Sequence, residues 1–404
     1  MSCSWITVIG IGDDGLDGLP KSHINLINEA EVLVGGKRHH DKVGNTNAEA
    51  IDWGQGFDQI FLKLEERRGK KIVVLASGDP MHFGVGSILV RAFGKEAITI
   101  YPALSAFSLA ASRMGWSIPE VDCLTIHGRP LENLNKFIIH NARLLILSKN
   151  GSSPVEVANL LNKKGFGESK ITVLEHLGGI KEDKICQKAA QWKRSRCANL
   201  NTIAIKCVAD GNIPMLSRVP GLPDEVYEND GQLTKREVRA ITLAQLQPLS
   251  GQVLWDIGSG SGAISIEWLR LGGHRRAIAI EKKPERVEAL RRNADNLGAA
   301  DIKIYEGDFL SIKDEIKCQP DAIFIGGGAS NLDLLKVAWS SLNPGGRIVV
   351  NVVSIEAVQA LVNFRKTNGG ELSRITIERS SQIGSFNAFK PLMPVTQFVA
   401  SKPS

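Results

Sequence analysis

The stretch that most constrains this 404-residue chain is Val253-Leu254-Trp255-Asp256-Ile257-Gly258-Ser259-Gly260-Ser261-Gly262. An apolar run ends in Asp256, a glycine-rich turn follows, and Ala263-Ile264-Ser265-Ile266-Glu267-Trp268-Leu269 then reads as a helix. That order is strand, loop, helix. The glycines let the backbone come close to a ligand, and a helix start supplies free N–H groups. About 23 positions after Gly258, Glu281 closes the run Ala277-Ile278-Ala279-Ile280, the place where nucleotide-binding α/β folds hold a ribose diol. Gly258, Gly260 and Ala263 also satisfy the dinucleotide fingerprint, so the glycines alone leave NAD open. The strand begins past the middle of the chain, so the first half must fold on its own terms.

The length suits two domains with separate cores. Apolar residues make up 43% and charged residues 23%, an ordinary balance for a globular protein. A net charge of +6 permits an anionic substrate but is too weak to argue for nucleic acid. Cys3, Cys123, Cys186, Cys197, Cys207 and Cys318 show no metal-ligand or redox spacing and read as reduced thiols. Without a membrane-length apolar run or a signal-peptide pattern, a cytoplasmic enzyme with no membrane partner is expected.

In the first half, strands are expected at 5–9, 31–34, 71–76, 98–102, 143–147, 170–174 and 202–208. The early ones end in small or glycine-rich residues, the edge where open α/β sheets bind ligands. Residues 209–232 hold Pro214, Pro220, Pro223 and several turn formers, so the boundary is placed near 210. Thr234-Lys235-Arg236-Glu237 reads as a capping box, with Thr234 as the cap. Strands at 253–257, 277–281, 302–305, 321–325 and 347–353 then alternate with helices. Two late strands near 372–379 and 395–400 complete a doubly wound sheet of seven.

Features beyond the glycines separate the candidate ligands. Asp256 stands where a carboxylate could meet an ammonium group, which S-adenosylmethionine has and NAD lacks. Asp308 and Phe309, in Glu306-Gly307-Asp308-Phe309, place a second acid where an adenine amino group could be read. Over 230–400 these residues resemble a class I, Rossmann-like methyltransferase. Gly231 to Arg239, Leu254 to Gly262, Asp321 to Gly328 and Met393 to Gln397 resemble, more narrowly, the decarboxylating carbon-15 methylating domain of cobalamin biosynthesis. Over 5–208 the chain resembles the tetrapyrrole methylases, an α/β fold of two subdomains. The matching motifs are Val8 to Gly12, Val32 to Gly36 with Arg38-His39, Leu75 to Pro80, Leu104 to Ala111 and His127 to Pro130. They are similar to the carbon-5 methylating subunit of the same pathway. The chain departs from that family at Gly12-Asp13-Asp14-Gly15, which lacks a proline, and at Met81-His82.

The resemblance implies a bifunctional enzyme with domains at 1–209 and 230–404 and a linker at 210–229. It would methylate a precorrin at carbons 5 and 15 and remove the ring C acetate carboxyl, giving precorrin-8X. It implies two S-adenosylmethionine sites. The first would be Gly10, Gly12, Ser77, Gly78, Asp79, His82, Ser105 and Ala106. The second would be Thr234, Asp256, Gly258, Ser259, Gly260, Ser261, Gly262, Glu281, Asp308 and Phe309. Arg236 and Arg239 are candidates for the substrate's carboxylates, because arginine suits bidentate recognition. An electron-rich tetrapyrrole carbon needs no protein nucleophile, so no catalytic residue is assigned. Adjacent His39 and His40 cannot converge on one ion, and no metal is expected. A homo-oligomer is expected. The competing readings are an NAD-dependent oxidoreductase on the second loop and a non-catalytic corrinoid carrier.

Overall fold

A computed structural model describes residues 4–404. Cys3 lies outside these residues, and the other five cysteines are free thiols. The chain divides into two compact units, Met1–Arg129 with Ile138–Ile213, and Pro130–Phe137 with Pro214–Ser404.

The first unit opens with strands β1 (Ile6–Ile11), β2 (Val32–Gly35), β3 (Glu49–Asp52), β4 (Ile72–Ser77) and β5 (Ile98–Tyr101). They form one parallel sheet in the order β3-β2-β4-β1-β5. Ile6, Val8, Val74 and Leu75 are wholly buried, as befits parallel strands covered on both faces. Helices α1 (Lys21–Asn28), α2 (Lys37–Val43), α3 (Phe57–Glu65), α4 (Val85–Phe93) and α5 (Ala106–Met114) connect and follow these strands. The second sheet holds β6 (Asp122–Thr125), β7 (Arg143–Leu147), β8 (Lys170–Glu175), β9 (Asp183–Lys188) and β10 (Asn201–Lys206), with α6 at Ser153–Lys163. Its order is β6-β7-β10-β8-β9, and only β6 and β7 run parallel. The short edge strands β3, β6 and β9 escape the sequence reading because each is part exposed and lacks an apolar run.

In the second unit, α7 (Arg236–Leu246) precedes a strand-helix alternation: β11 (Val253–Ile257), α8 (Ala263–Arg270), β12 (Arg276–Glu281), α9 (Pro284–Leu297), β13 (Lys303–Glu306), α10 (Phe309–Ile312), β14 (Ala322–Ile325), α11 (Leu332–Ser341), β15 (Arg347–Val352) and α12 (Ile355–Asn368). Strands β16 (Glu371–Ile375), β17 (Glu378–Ile383), β18 (Phe386–Pro391) and β19 (Val395–Ser401) close the chain. The main sheet has seven strands in the order β13-β12-β11-β14-β15-β19-β16. The order turns outward in both directions from β11, so the carboxyl end of β11 is the switch point where a doubly wound sheet binds its ligand.

Two expectations need correction. The strand expected at 372–379 is two strands: β16 pairs with β19, whereas β17 leaves the sheet to form a hairpin with β18. The capping box is absent. Lys235 is the N-cap of α7 and makes no side-chain cap bond, while Glu237 bonds Arg379 of β17 instead. Within 210–229, Leu222 and Tyr227 are buried in one cluster with Leu243 and Trp268.

Candidate active site

The glycine loop after β11 is shaped by backbone handedness. Gly258, Gly260 and Gly262 have φ of +70°, +56° and +78°, a region that side chains strain to reach. A Cβ on Gly258 would stand 3.0 Å from the Gly327 backbone nitrogen, and one on Gly262 would stand 2.6 Å from Leu290 Cγ. The loop borders a cavity of about 720 Å³. Thr234, Gly258 to Ser261, Glu281, Asp308 and Phe309 all line it, so most of the expected second site converges. Glu281 is 4% exposed; its Oε2 accepts from the Gly260 N–H at 2.8 Å and its Oε1 from the Lys283 N–H at 3.0 Å. Asp308 caps α10 by accepting from the Leu310 N–H, which fixes its carboxylate at the rim. Phe309 is buried edge-on against Trp255, with ring centroids 5.9 Å apart.

Asp256 does not reach this cavity. It is fully buried, and its Oδ2 accepts from both the backbone N–H (3.1 Å) and the hydroxyl (2.6 Å) of Ser265. Its Oδ1 meets no donor among the described residues. Burial pushes its pKa up to about 7, against the two Ser265 bonds, with Glu281's charge adding to the rise. Asp256 therefore ties β11 to α8 and faces no ammonium group in this arrangement. Gly262 also lies off the cavity wall, as the residue that starts α8.

The two arginines separate. Arg239 is wholly buried, with Nε 2.6 Å from Glu267 Oε1, Nη1 at 3.2 Å from Asp224 Oδ1, and further bonds to the Thr234 and Leu222 carbonyls. Glu267 also accepts from the Gly221 and Leu222 N–H groups and the Tyr227 hydroxyl. Arg239 thus fastens the 221–234 segment to α7 and α8 and has no surface to offer a substrate. Arg236 is exposed beside Glu237 and Arg379, away from the main cavity.

Sequence reasoning missed several wall residues. Gly326 to Gly328 follow β14, at the carboxyl edge where ligands collect, and that position was the available signal. Lys235 and Met393, which fall in the matching stretches without being singled out, also line the cavity, as do Asn351, Ile375, Ile377 and Leu392, which no local motif marks.

In the first unit the expected residues gather at the carboxyl ends of β1, β4 and β5. The Gly78 N–H donates to the Ile11 carbonyl at 3.0 Å, and the Ala103 N–H to the Gly78 carbonyl at 3.2 Å. A Cβ on Gly10 would stand 2.0 Å from that Gly78 oxygen and 2.6 Å from the Ala103 nitrogen, so only glycine fits. Gly12 is closed in by the Asp14 carboxylate. Asp79 turns the loop, accepting from the Met81 N–H through Oδ1 and the His82 N–H through its carbonyl. The His82 ring lies 4.5 Å from Phe107, and Ser105 caps α5 at Ala106 by accepting from the Ser108 N–H. Where the proline is missing, Asp13 ties the turn to its surroundings: Oδ1 is 2.7 Å from Lys42 Nζ and Oδ2 is 3.0 Å from His176 Nδ1. Burial pushes the Asp13 carboxyl up, but these two bonds outweigh it and hold the group below its usual range. His39 Nε2 faces Ser77 Oγ and His40 Nε2 faces the Ile51 carbonyl, so the two rings turn to different partners.

The sheet order and the glycine cradle with its acid define a doubly wound, nucleotide-type binding fold, and comparison with known proteins makes it a methyltransferase. The family model for "Precorrin methyltransferase domain" matches residues 225–402, and that for "Tetrapyrrole (Corrin/Porphyrin) Methylases" matches residues 6–189. A protein from Sinorhizobium sp named precorrin-6Y C(5,15)-methyltransferase [decarboxylating] is 42% identical, over 98% of this chain and 96% of its own. One of 193 aligned residues from Saccharolobus solfataricus, named probable cobalt-precorrin-6B C(15)-methyltransferase (decarboxylating), is 30% identical over 46% of this chain and 97% of its own. Among solved structures, the C-terminal domain of precorrin-6Y C5,15-methyltransferase from Rhodobacter capsulatus is 37% identical, covering 46% of this chain and 100% of that one, with a TM-score of 0.44. The chain belongs to the decarboxylating precorrin-6Y C(5,15)-methyltransferase family. The oxidoreductase and carrier readings are not favoured.

Proposed function

We propose that the chain holds two methyl-donor sites, one per unit, and methylates a precorrin at carbon 5 in the first and carbon 15 in the second. The ring C acetate loses its carboxyl at the second site, and the product is precorrin-8X. The observation that carries this reading is the pair of unrelated glycine cradles at the carboxyl edges of parallel strands, the first closed to a Cβ at Gly10 and the second left-handed at Gly258, Gly260 and Gly262. A free-standing relative named for the carbon-15 step spans only 46% of this chain, which supports a division of labour between halves.

Both cradles fit the donor. Around the second, the positive-φ glycines admit a close ligand, Glu281 presents a buried carboxylate to a diol, and Asp308 and Phe309 offer an acid and an apolar face to an adenine. Around the first, the bare backbones of Gly10 and Gly78 pack together at the strand ends beside the α5 start at Ser105-Ala106. S-adenosylmethionine, when bound, supplies a methyl group on a sulfonium. The enzyme's own part is to line up that methyl with the nucleophilic carbon and keep water out. The apolar end of the second cavity, with Ile375, Ile377, Leu392 and Met393, suits the face of a macrocycle. In the decarboxylation, the bond from the acetate methylene to its carboxylate breaks and carbon dioxide leaves. The electron pair passes into the conjugated ring, and the methylene carbon gains a proton to become methyl. The ring is the electron sink, so the chain needs only to orient the acetate.

Mass spectrometry of the product tests the reading. Two added methyls and one lost carbon dioxide are expected per precorrin. One added methyl, or two with the carboxyl retained, contradicts it.

A further inference from the structure

Beside the first cradle stands a cluster, Arg38, His39 and Ser77, of which only Ser77 has a place in the expected donor site. Gly36 donates its N–H to His39 Nδ1 at 3.1 Å. Nδ1 is therefore an acceptor, and a neutral ring must carry its proton on Nε2. Burial pulls the His39 pKa down to about 4, helped by the charges of Arg38, His40 and Lys42 and opposed by Asp52, so the ring is neutral near pH 7. Its Nε2–H then donates to Ser77 Oγ at 3.0 Å. Arg38 Nη2 donates to the same oxygen at 2.6 Å. A hydroxyl oxygen has two acceptor sites and both are taken, so the Ser77 proton must point to a third direction as a donor. The Ser77 side chain is exposed at the end of β4, next to the Gly78 that packs under Gly10.

Arg38 itself is a half-buried cation without a counter-charge. Among the described residues no carboxylate lies within ion-pair distance of it. The acid whose field it feels, Asp13, is already engaged by Lys42 and His176. A guanidinium with N–H groups to spare beyond its bond to Ser77, beside a hydroxyl proton that points away from both its donors, is complementary to an anion with two oxygens.

We infer that Arg38 and Ser77 form a carboxylate-receiving site at the first cradle, with His39 as the positioning residue that aims the Ser77 hydroxyl. The inference rests on reading that cradle as a methyl-transfer site. The carboxylate would belong either to the amino-acid tail of the methyl donor or to an acetate or propionate arm of the tetrapyrrole, and one experiment distinguishes them.

The full chain carrying Arg38→Gln, and separately Ser77→Ala, is titrated with S-adenosylhomocysteine and with methylthioadenosine, which lacks the amino-acid tail. The KM for the tetrapyrrole in carbon-5 methylation is measured alongside. A donor carboxylate predicts about tenfold weaker S-adenosylhomocysteine binding with methylthioadenosine unchanged. A substrate carboxylate predicts unchanged S-adenosylhomocysteine binding and a KM raised about tenfold at nearly constant kcat. Because Ser77 is exposed, Ser77→Ala tests the site even if the arginine variant misfolds. His39→Gln, which can still donate to Ser77, should stay within about threefold of wild type, whereas His39→Phe should behave like Ser77→Ala. The site is overturned if folded variants leave both ligands and KM unchanged, or if methylthioadenosine weakens as much as S-adenosylhomocysteine. The wild-type number of bound molecules reports separately on the two-site reading, because these substitutions change affinity and not site count.

Discussion

The two cradles exclude side chains by different means. At the first, a Cβ on Gly10 would collide with the Gly78 and Ala103 backbones of neighbouring loops, at 2.0 and 2.6 Å. At the second, Gly258, Gly260 and Gly262 hold a left-handed backbone, and the nearest obstruction to Gly258 is milder, at 3.0 Å. One loop is bounded by strand-end packing, the other by its own conformation. Their rims differ in chemistry as well: Arg38 and Ser77 offer donors at the first, whereas Glu281 and Asp308 offer acceptors at the second. Each loop keeps its backbone bare without a shared motif, and each half should therefore fail by its own route.

The largest effect is expected at Gly10. No rotation of a flexible side chain relieves a clash with two backbones, so Gly10→Ala should cut carbon-5 methylation at least about a hundredfold. Product mass spectrometry would show it. Gly258→Ala should be milder at its own site, costing about 1–2 kcal/mol of backbone strain. Equal losses from the two would erase the distinction between the cradles.

A comparable effect is expected behind the second cavity. Arg239→Leu leaves Glu267 buried without its cation, and about 3–5 kcal/mol of stability should be lost. Calorimetric unfolding measures this, and an unchanged second-unit transition would show that Arg239 is dispensable.

Asp256 gives a pH test. Its folded pKa, about 7, lies above the ordinary 3.8, so the folded chain keeps a proton that the unfolded chain releases. Its contribution is fully present below pH 3.8 and is lost as pH rises to about 7. Asp256→Asn keeps an acceptor for Ser265 without the buried charge. It should match wild type near pH 4 and be more stable at pH 8, by an amount on the order of 2–4 kcal/mol. If the variant instead loses S-adenosylhomocysteine affinity with no pH-dependent gain, Asp256 belongs to the ligand after all.

The smallest effect belongs to Arg379, whose partly exposed pairs with Glu237 and Asp224 tie the β17–β18 hairpin to α7. Arg379→Gln should cost no more than about 1 kcal/mol and less in high salt. Urea unfolding at two salt concentrations checks it.

Much of this was legible in the sequence, for physical reasons. Buried parallel strands such as Val253–Ile257 leave an apolar run, and a tight turn leaves glycines, so the sheet of seven and both cradles could be read locally. What failed depended on which partner each side chain turns to, near or far along the chain. Asp256 and Arg239 have the right chemistry beside the right loop, but Ser265 and Glu267 turn them inward. Glu237 completes a capping pattern on paper, but Arg379, far along the chain, bonds it instead. Ile377 and Leu392, which wall the cavity, flank a hairpin whose strands read like sheet strands and show nothing of their departure from the sheet. The Arg38-His39 pair was visible as a motif, yet its meaning lies in Ser77 on another strand.

The central claim is that each half holds its own methyl-donor site. Calorimetric titration of the full chain with S-adenosylhomocysteine tests it most directly. Two molecules bound per wild-type chain and one per Glu281→Ala chain are predicted. One molecule per wild-type chain, or none bound by a folded Glu281→Ala variant, would contradict it.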